Sequence, residues 1–447
     1  TTFPDQGTED YSPINYDGKF RGPVQLRFAL GNSINIPAVK SLAVLGVRDF
    51  LTKLDDLGMP TFAPNSENLK RFGLSLTLGG GETTLLNLTS AYSVLATGGL
   101  KHEVSSITDI SDFRGKNIFK KVRIQEKKVF SPEISFLLSH ILSDNNARID
   151  EFGPNSYLNV PGKTVAVKTG TTDDKRDNWT VGYTKSITVG VWVGNNDNSK
   201  MNPKIASGAT GASPIWYRIM RELLKKYDDG IMDKPDKVKA LIVDSYLGGL
   251  PKDGYPTRSE YYIEGTEPKD ISPWYKKIKI SKSNGKLANE IEIKSGNYEE
   301  KDFIVITESD PVSTDGKNRW QEAINAWAGQ QGDNKYKPPT DTSDSATDSV
   351  IVSVKNPGDH STVSSGNLNI KAKIASLEKI KNVKIKINGE TRFDWNEDKR
   401  DIDETISIIA DGVYELQIIG TNEKDKQGES TIKFGVNKPW DYVTPSP

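Results

Sequence analysis

Val167-Lys168-Thr169-Gly170-Thr171-Thr172 is the stretch on which the reading of this chain turns. Val165 and Val167 precede the lysine at a spacing of two, the pattern of a buried β-strand reaching its end. A cation, a hydroxyl, a glycine and a second hydroxyl then follow in a row. Gly170 carries no Cβ, so another backbone can lie close against this edge. Lys168 offers positive charge, and Thr169 and Thr171 offer hydroxyls. Such an edge suits an extended peptide ending in a carboxylate, received as an added strand. By itself a Lys-Thr-Gly tripeptide is usually just a strand leaving the core, so its surroundings decide.

The chain has 447 residues, which points to two to four domains. Lys+Arg (59) and Asp+Glu (60) nearly cancel, for a formal net charge of -1. That balance gives no case for nucleic acid or an anionic membrane surface. No apolar run approaches roughly 18 residues, so no membrane span is expected. No signal peptide opens the chain, and Thr1-Thr2-Phe3 does not read as a natural start, so a fragment is expected. Cysteine is absent, which removes disulfides, thiol catalysis and thiolate metal sites and suits an exported bacterial protein. His102, His140 and His360 stand far apart, in no metal-ligand spacing. Neither a histidine-based active site nor a metal or cofactor is expected.

Residues 1–22 are rich in turns. A helix is expected from Val24 to about Leu30, followed by Gly31-Asn32-Ser33-Ile34-Asn35-Ile36-Pro37-Ala38-Val39-Lys40. Pro37 belongs in a first helical turn, and Asn35 reads as the N-cap before it, which makes Ser33 and Asn35 ordinary loop and cap residues on local grounds. A second helix should run from Val47 to Leu57 and stop at Gly58. Gly79-Gly80-Gly81 lacks the Lys-Ser/Thr of a phosphate loop and reads as the entry to a helix through Leu85, Leu88, Tyr92 and Leu95. Residues 102–130 form a β excursion, and Ser131-Pro132-Glu133 opens a helix through Leu142. After Lys168 comes a polar turn with Asp173, Asp174 and Asp177, a solvated turn rather than a metal site. Strands over 179–184 and 187–194 follow in hairpin spacing. Ser213-Pro214 should cap a helix whose Trp216, Ile219, Met220, Leu223 and Tyr227 face the core. The result is an α/β arrangement with an antiparallel sheet over residues 1–228.

Residues 229–331 read as a β-rich extension, with Trp274, Trp320 and Trp327 among short strands and turns. Residues 332–349 read as a linker. Over 350–438, Leu368-Ile370-Ala372-Ile374, Val383-Ile385-Ile387, Tyr414-Leu416-Ile418 and Ile432-Phe434-Val436 alternate with polar residues, and Asn388-Gly389 is a hairpin signal. Short alternating strands at this density imply a β-sandwich. Residues 439–447 are a tail.

Taken together, Ser33-x-Asn35 at a loop-to-helix junction and Lys168-Thr169-Gly170 on a strand match two of the three motifs of the penicilloyl-serine transferases. Tyr16-Asp17-Gly18-Lys19-Phe20-Arg21-Gly22-Pro23-Val24, Val181-Gly182-Tyr183-Thr184, Val191-Trp192-Val193-Gly194 and Ala212-Ser213-Pro214-Ile215-Trp216 make the likeness specific. Over about residues 10–227 the chain resembles the transpeptidase domain of bifunctional, class A penicillin-binding proteins. A weaker likeness continues through Glu260-Tyr261-Tyr262-Ile263-Glu264-Gly265-Thr266-Glu267-Pro268. The C-terminal sandwich resembles bacterial immunoglobulin-like modules.

The resemblance implies a peptidoglycan D,D-transpeptidase that cross-links stem peptides ending in D-Ala-D-Ala through a serine acyl-enzyme and is trapped by β-lactams. It implies roles as well. Ser33 would relay protons, Asn35 would bind the donor amide, and Lys168 would orient Ser33. Thr169 and Thr171 would bind the substrate carboxylate, and the Thr171 N–H would serve an oxyanion hole with Gly170 keeping the approach open. The parent is expected on the extracytoplasmic face of the cytoplasmic membrane, anchored by sequence outside this chain, with a wall or protein partner for the C-terminal module. One departure matters. The family's nucleophile sits in a Ser-x-x-Lys motif before Ser33, and none occurs there. Ser283-x-x-Lys286, Ser376-x-x-Lys379 and Ser430-x-x-Lys433 all follow Lys168 and are rejected for their order and context. The fragment alone is therefore expected to be inactive. The alternatives are a non-catalytic wall-binding scaffold and a β-lactam sensor.

Overall fold

The computed structural model describes residues 1–3, 10–121, 126–172, 174–202, 209–344, 349–408 and 410–443. Of the polar turn, Asp173 lies outside the described residues. The chain divides into two units, Thr1–Trp274 with Ile306–Gln330, and Tyr275–Val305 with Gln331–Pro447.

The first unit opens with short helices α1 (Leu26–Gly31), α2 (Asn35–Leu45), α3 (Val47–Asp56) and α4 (Ser66–Arg71). Leu42, Leu51, Met59, Phe62, Phe72 and Leu76 form their shared core. Helix α5 (Leu85–Ala96) starts where the Thr84 hydroxyl accepts the Asn87 N–H at 3.1 Å and stops at Gly98 and Gly99, both at positive φ. The excursion that follows holds β1 (Leu100–His102), β2 (Asp109–Ser111), β3 (Asn117–Lys120) and β4 (Glu126–Lys128), with β1 paired to β4 and β2 to β3. Helix α6 (Pro132–Ser143), capped by Ser131, and α7 (Ile149–Phe152) lead into the sheet.

That sheet is antiparallel in the order β5 (Ala166–Thr171), β6 (Asp177–Tyr183), β7 (Thr188–Gly194). Strand alternation puts Ala166 and Tyr183 on one face, where Leu142 packs on them and Tyr92 stands 6.3 Å from Tyr183. Val165, Val167 and Val191 lie on the other face, covered by Trp216, Met220 and Leu224 of the α8 (Ala212–Leu223) segment. The sheet therefore sits between two helical layers. Strands β8 (Val238–Asp244) and β9 (Thr257–Ile263) form a separate hairpin. It is tied back to α1, where Arg27, only 6% exposed, donates to Glu260 at 2.8 Å and pairs with Asp144 at 3.2 Å. Burial alone would raise the Glu260 carboxyl; Arg27, the Tyr261 N–H and Arg258 outweigh it and hold the group at about 2.

In the second unit β10 (Tyr275–Ser281) pairs with β11 (Tyr298–Ile304) around the short helix Glu290–Ser295. Beyond them come β12 (Ile351–Asn356), β13 (Thr362–Val363), β14 (Gly366–Ala375), β15 (Ile380–Ile387), β16 (Glu390–Trp395), β17 (Asp401–Ile408), β18 (Gly412–Asn422) and β19 (Gln427–Val436). They form two sheets, β12-β14-β17 and β13-β19-β18-β15-β16. One core joins the sheets, built from Ile370, Ile385, Leu416, Ile418 and Phe434, all at 0% exposure. The alternating apolar residues of the sequence are the ones that point into it.

Several expectations need correction. The 229–331 segment is divided, with β8, β9 and a helix at Arg319–Gln330 in the first unit and β10 and β11 in the second. Trp320 and Trp327 are on that helix, not among strands and turns. The described part of 332–349 is no open linker, because it carries a 3₁₀ turn at Asn334–Tyr336 and buries Tyr336 and Ser343. Asn35 is the first residue of α2 rather than its cap. The cap position is Ile34, and the Asn15 side chain, twenty residues earlier, accepts the Asn35 and Ile36 N–H groups at 3.1 and 3.2 Å. Ser213 is inside α8, bonded to the Thr180 hydroxyl at 2.9 Å, and Gly211 is the cap residue. The buried stripe follows i, i+4 spacing through Ala212, Trp216, Met220 and Leu224, which leaves Ile219 and Tyr227 exposed.

A Cβ at Gly182 would overlap the Trp216 ring. Gly182→Ala is expected to cost about 1–3 kcal/mol, the usual penalty for overpacking a tight core. Urea unfolding followed by tryptophan fluorescence would measure it, and an unchanged midpoint would contradict this packing.

Candidate active site

Among the described residues strand β5 pairs with β6 and with no second strand, so its other edge carries no strand. Its residues alternate, with Ala166, Lys168 and Gly170 on one face and Val167, Thr169 and Thr171 on the other. Lys168 reaches across to the loop between α1 and α2, where its Nζ donates to Ser33 Oγ at 2.6 Å and to the Thr169 carbonyl at 2.9 Å. The structure thus brings together two motifs that stand 135 residues apart. Ser33 holds a left-handed φ of 57°, unusual for a residue with a side chain and typical of strained functional loops. Asn35 points elsewhere, since its side-chain amide donates to the Ile14 carbonyl at 2.9 Å. Thr169, Gly170 and Thr171 follow Lys168 along the strand, all half-buried.

Neighbours that the sequence did not reveal set the position of Ser33. A Cβ on Gly31 would run into the Ala147 carbonyl, so glycine is required for this approach. Asn32 then bridges the gap, donating to Phe28 and Ala147 carbonyls at 3.0 Å and accepting the Glu151 N–H at 3.0 Å. Asn32 is 4% exposed, and its buried amide is satisfied by these bonds. Gly31 and Asn32 sit beside Ser33, but nothing in their spacing names a partner more than a hundred residues away.

The electrostatics are unbalanced. Among the described residues, Lys168 has no carboxylate within ion-pair distance. Burial lowers its ammonium to about 8, with Arg148 adding to the effect and Glu151 opposing it. Arg148 is 3% exposed and donates to the carbonyls of Leu142 and, at 3.4 Å, Val167. Burial pulls it down to about 10, against Asp144. Two cations thus share one partly desolvated corner, an arrangement common at functional sites. The three Ser-x-x-Lys serines are elsewhere. Ser283 is in the turn after β10, Ser376 follows β14, and Ser430 is on β19. Among the described residues no group of His, Asp and Glu is placed to hold a metal ion.

Residues 2–221 match the family model of the penicillin binding protein transpeptidase domain. Relatives that match this region include proteins named penicillin-binding protein 1A. Penicillin-binding protein 1A of Aquifex aeolicus (strain VF5) is 34% identical over 266 residues, covering 58% of this chain and 34% of that protein. The Clostridium botulinum (strain Langeland) protein of the same name is 28% identical over 286 residues, covering 62% of this chain and 34% of its own. The chain spans about a third of the length of these relatives. The crystal structure of penicillin-binding protein 1A from Haemophilus influenzae aligns with a TM-score of 0.52 at 24% identity, over 61% of this chain and 44% of that one, and shares the fold.

Lys168 is expected to titrate near pH 8, and Arg148→Gln should move that titration upward by removing a neighbouring cation. The carbon-13 shift of Lys168 Cε against pH reads both. The unfolded chain keeps this proton toward the ordinary value of 10.5, so between pH 8 and 10.5 it binds more protons than the folded one. Stability should therefore gain from this group as pH rises through that window, and Lys168→Met should remove the gain.

Proposed function

We propose that this transpeptidase domain serves a peptidoglycan D,D-transpeptidase, acting on stem peptides that end in D-Ala-D-Ala and open to acylation by β-lactams. The observation that carries the reading is the 2.6 Å contact of Lys168 with Ser33, beside a strand edge that no second strand pairs with among the described residues. In the reaction, a serine oxygen adds to the penultimate D-Ala carbonyl. The C–N bond to the last D-alanine then breaks, and the departing amine takes a proton. Ser33 is placed to pass that proton, and Lys168 orients its hydroxyl. A lysine near pH 8 remains mostly charged at neutral pH, so it also favours the substrate carboxylate. An amine from a second peptide then adds to the ester, and the serine oxygen leaves with a proton. Thr169 and Thr171 would bind the carboxylate, and Asn35 would meet the donor amide after leaving Ile14. The Thr171 N–H would face the developing oxyanion. At Gly170 a Cβ would meet Trp179 at an ordinary 3.4 Å, so packing within the chain does not demand glycine there.

The attacking serine is not among these 447 residues in an acceptable motif. The reading therefore joins this domain to a Ser-x-x-Lys helix supplied by the rest of a longer protein. That protein would be held at the outer face of the cytoplasmic membrane, with the C-terminal sandwich as an immunoglobulin-like attachment module. The second reading, a wall-binding scaffold, would apply if the longer protein carried no Ser-x-x-Lys before Ser33.

Where these residues follow an intact Ser-x-x-Lys helix, Ser33→Ala and Lys168→Ala should each slow acylation by a chromogenic β-lactam by about 10²-fold or more. Stopped-flow rates near those of the unchanged protein in both variants would reject the assignment.

The 447-residue chain itself should form no covalent adduct with excess benzylpenicillin, because acyl transfer needs an activated nucleophile. Intact-mass spectrometry reads this directly. A stable adduct on Ser283, Ser376 or Ser430 would show that a Ser-x-x-Lys placed after Lys168 can supply the nucleophile.

A further inference from the structure

Behind the Ser33–Asn35 turn lies a cavity of about 210 Å³ that takes no part in the chemistry above. Its walls are mainly apolar, from Phe20, Val24, Ile34, Ile36, Trp274 and Ile324. The charged groups around it are already matched within the protein. Lys40 Nζ lies 2.7 and 2.8 Å from the two Glu308 carboxylate oxygens, and Arg21 reaches Asp17 at 2.8 and 3.2 Å. No unmatched charge therefore asks for a charged ligand. An enclosed apolar cavity of about 150 Å³ holds benzene; this one is larger and opens on one side to solvent, so a flat bicyclic ring can enter it.

We propose that this cavity is a binding site for a neutral, planar aromatic molecule of bicyclic size, and that filling it moves the turn that carries Ser33. The coupling follows from position. Ile34 and Ile36 line the cavity and alternate along the chain with Ser33 and Asn35. Both isoleucines are 8% exposed, so a ligand that presses on them presses on the turn. Asn15, in the same wall, holds the first turn of α2 through the Asn35 and Ile36 N–H groups. Ser33 already holds a left-handed backbone conformation, so a small displacement of its neighbours shifts the balance between that conformation and a relaxed one. The inference goes beyond the transpeptidase reading, since binding at this cavity uses neither Ser33 nor Lys168 as a contact.

Indole is the probe. The full chain, carbon-13 labelled at isoleucine δ1 methyls and lysine Cε, would be titrated and followed by NMR. Saturable shifts are expected at Ile34, Ile36 and Ile324, with a shift at Lys168 Cε that saturates at the same indole concentration. Val24→Phe fills the cavity from its half-buried side and should weaken indole by at least tenfold, with the circular dichroism spectrum unchanged. Ile324→Phe gives the same reading from the opposite wall if the first variant does not fold. Absence of saturable isoleucine shifts would overturn the site, and so would undiminished affinity in a folded filled variant. Saturation of the cavity with Lys168 unmoved would overturn the coupling, whatever becomes of the transpeptidase reading.

Discussion

The contact between Gly31 and Ala147 comes before everything else in the first unit. The two backbones approach so closely that no side chain fits at position 31, and Asn32 closes the junction with three hydrogen bonds. The Lys168–Ser33 bond is too weak to place the loop by itself. A single hydrogen bond contributes about 1 kcal/mol net, rather more with a charged donor, while ordering a loop costs about that much per residue. The loop must therefore be placed by packing, and Ser33 receives its lysine because its neighbours are already fixed. The same junction reaches Glu151 through its backbone N–H, which brings a carboxylate into the electrostatic surroundings of Lys168 without an ion pair.

Two buried arginines show how differently one residue type can be used. Arg27 meets Glu260, Asp144 and the His140 ring, so its charge is answered, and helices α1 and α6 are fastened to β9. Among the described residues Arg148 donates to carbonyl groups and forms no ion pair, and Asp144 acts on it from farther away. A buried charge answered only by dipoles costs stability. Burial depresses the Lys168 ammonium and the nearby Arg148 adds to the effect, giving the site a cation close to the point of releasing a proton. The corner is a poor structural element and makes sense where a lysine must hold charge and still take part in proton movement.

The parts of this architecture that depend on local order are legible in the sequence. Period-two alternation in Leu368-Ile370-Ala372-Ile374 and the Asn388-Gly389 turn lie where their pattern puts them, as does Ser131 capping α6. Lys168-Thr169-Gly170 also lies on a strand as its alternating neighbours indicate, whereas Asn35 falls inside α2 with its amide on the Ile14 carbonyl. Features whose cause is distant are not legible. The cap of α2 comes from Asn15, although Asn35 is the most suitable residue nearby. Ser213 has the chemistry of a cap, but Thr180 on a neighbouring strand holds it inside the helix. Arg27 and Arg148 give no signal at all, because a charged residue in a helical or turn segment reads as exposed until its burial is seen.

The second unit is also less separable than its composition suggests. The chain enters it at Tyr275, leaves at Val305, and returns at Gln331, so the sandwich is not a bead strung after a linker. Glu292 explains why the two passages belong together. Its side chain is fully buried, and it accepts from the Ser281 hydroxyl at 2.5 Å, the Ser343 hydroxyl at 3.0 Å and the Asn289 N–H at 3.0 Å. Two of those donors come from the first passage and one from the second. A chain ended near residue 332 would leave the carboxylate without Ser343 and the β10–β11 hairpin without Tyr336 packed nearby. Removing one donor from a buried acceptor costs more than the bond itself contributed. Polar composition over 332–349 therefore does not mean a solvated segment, since Ser343 completes the shell of a carboxylate that the hairpin alone cannot satisfy.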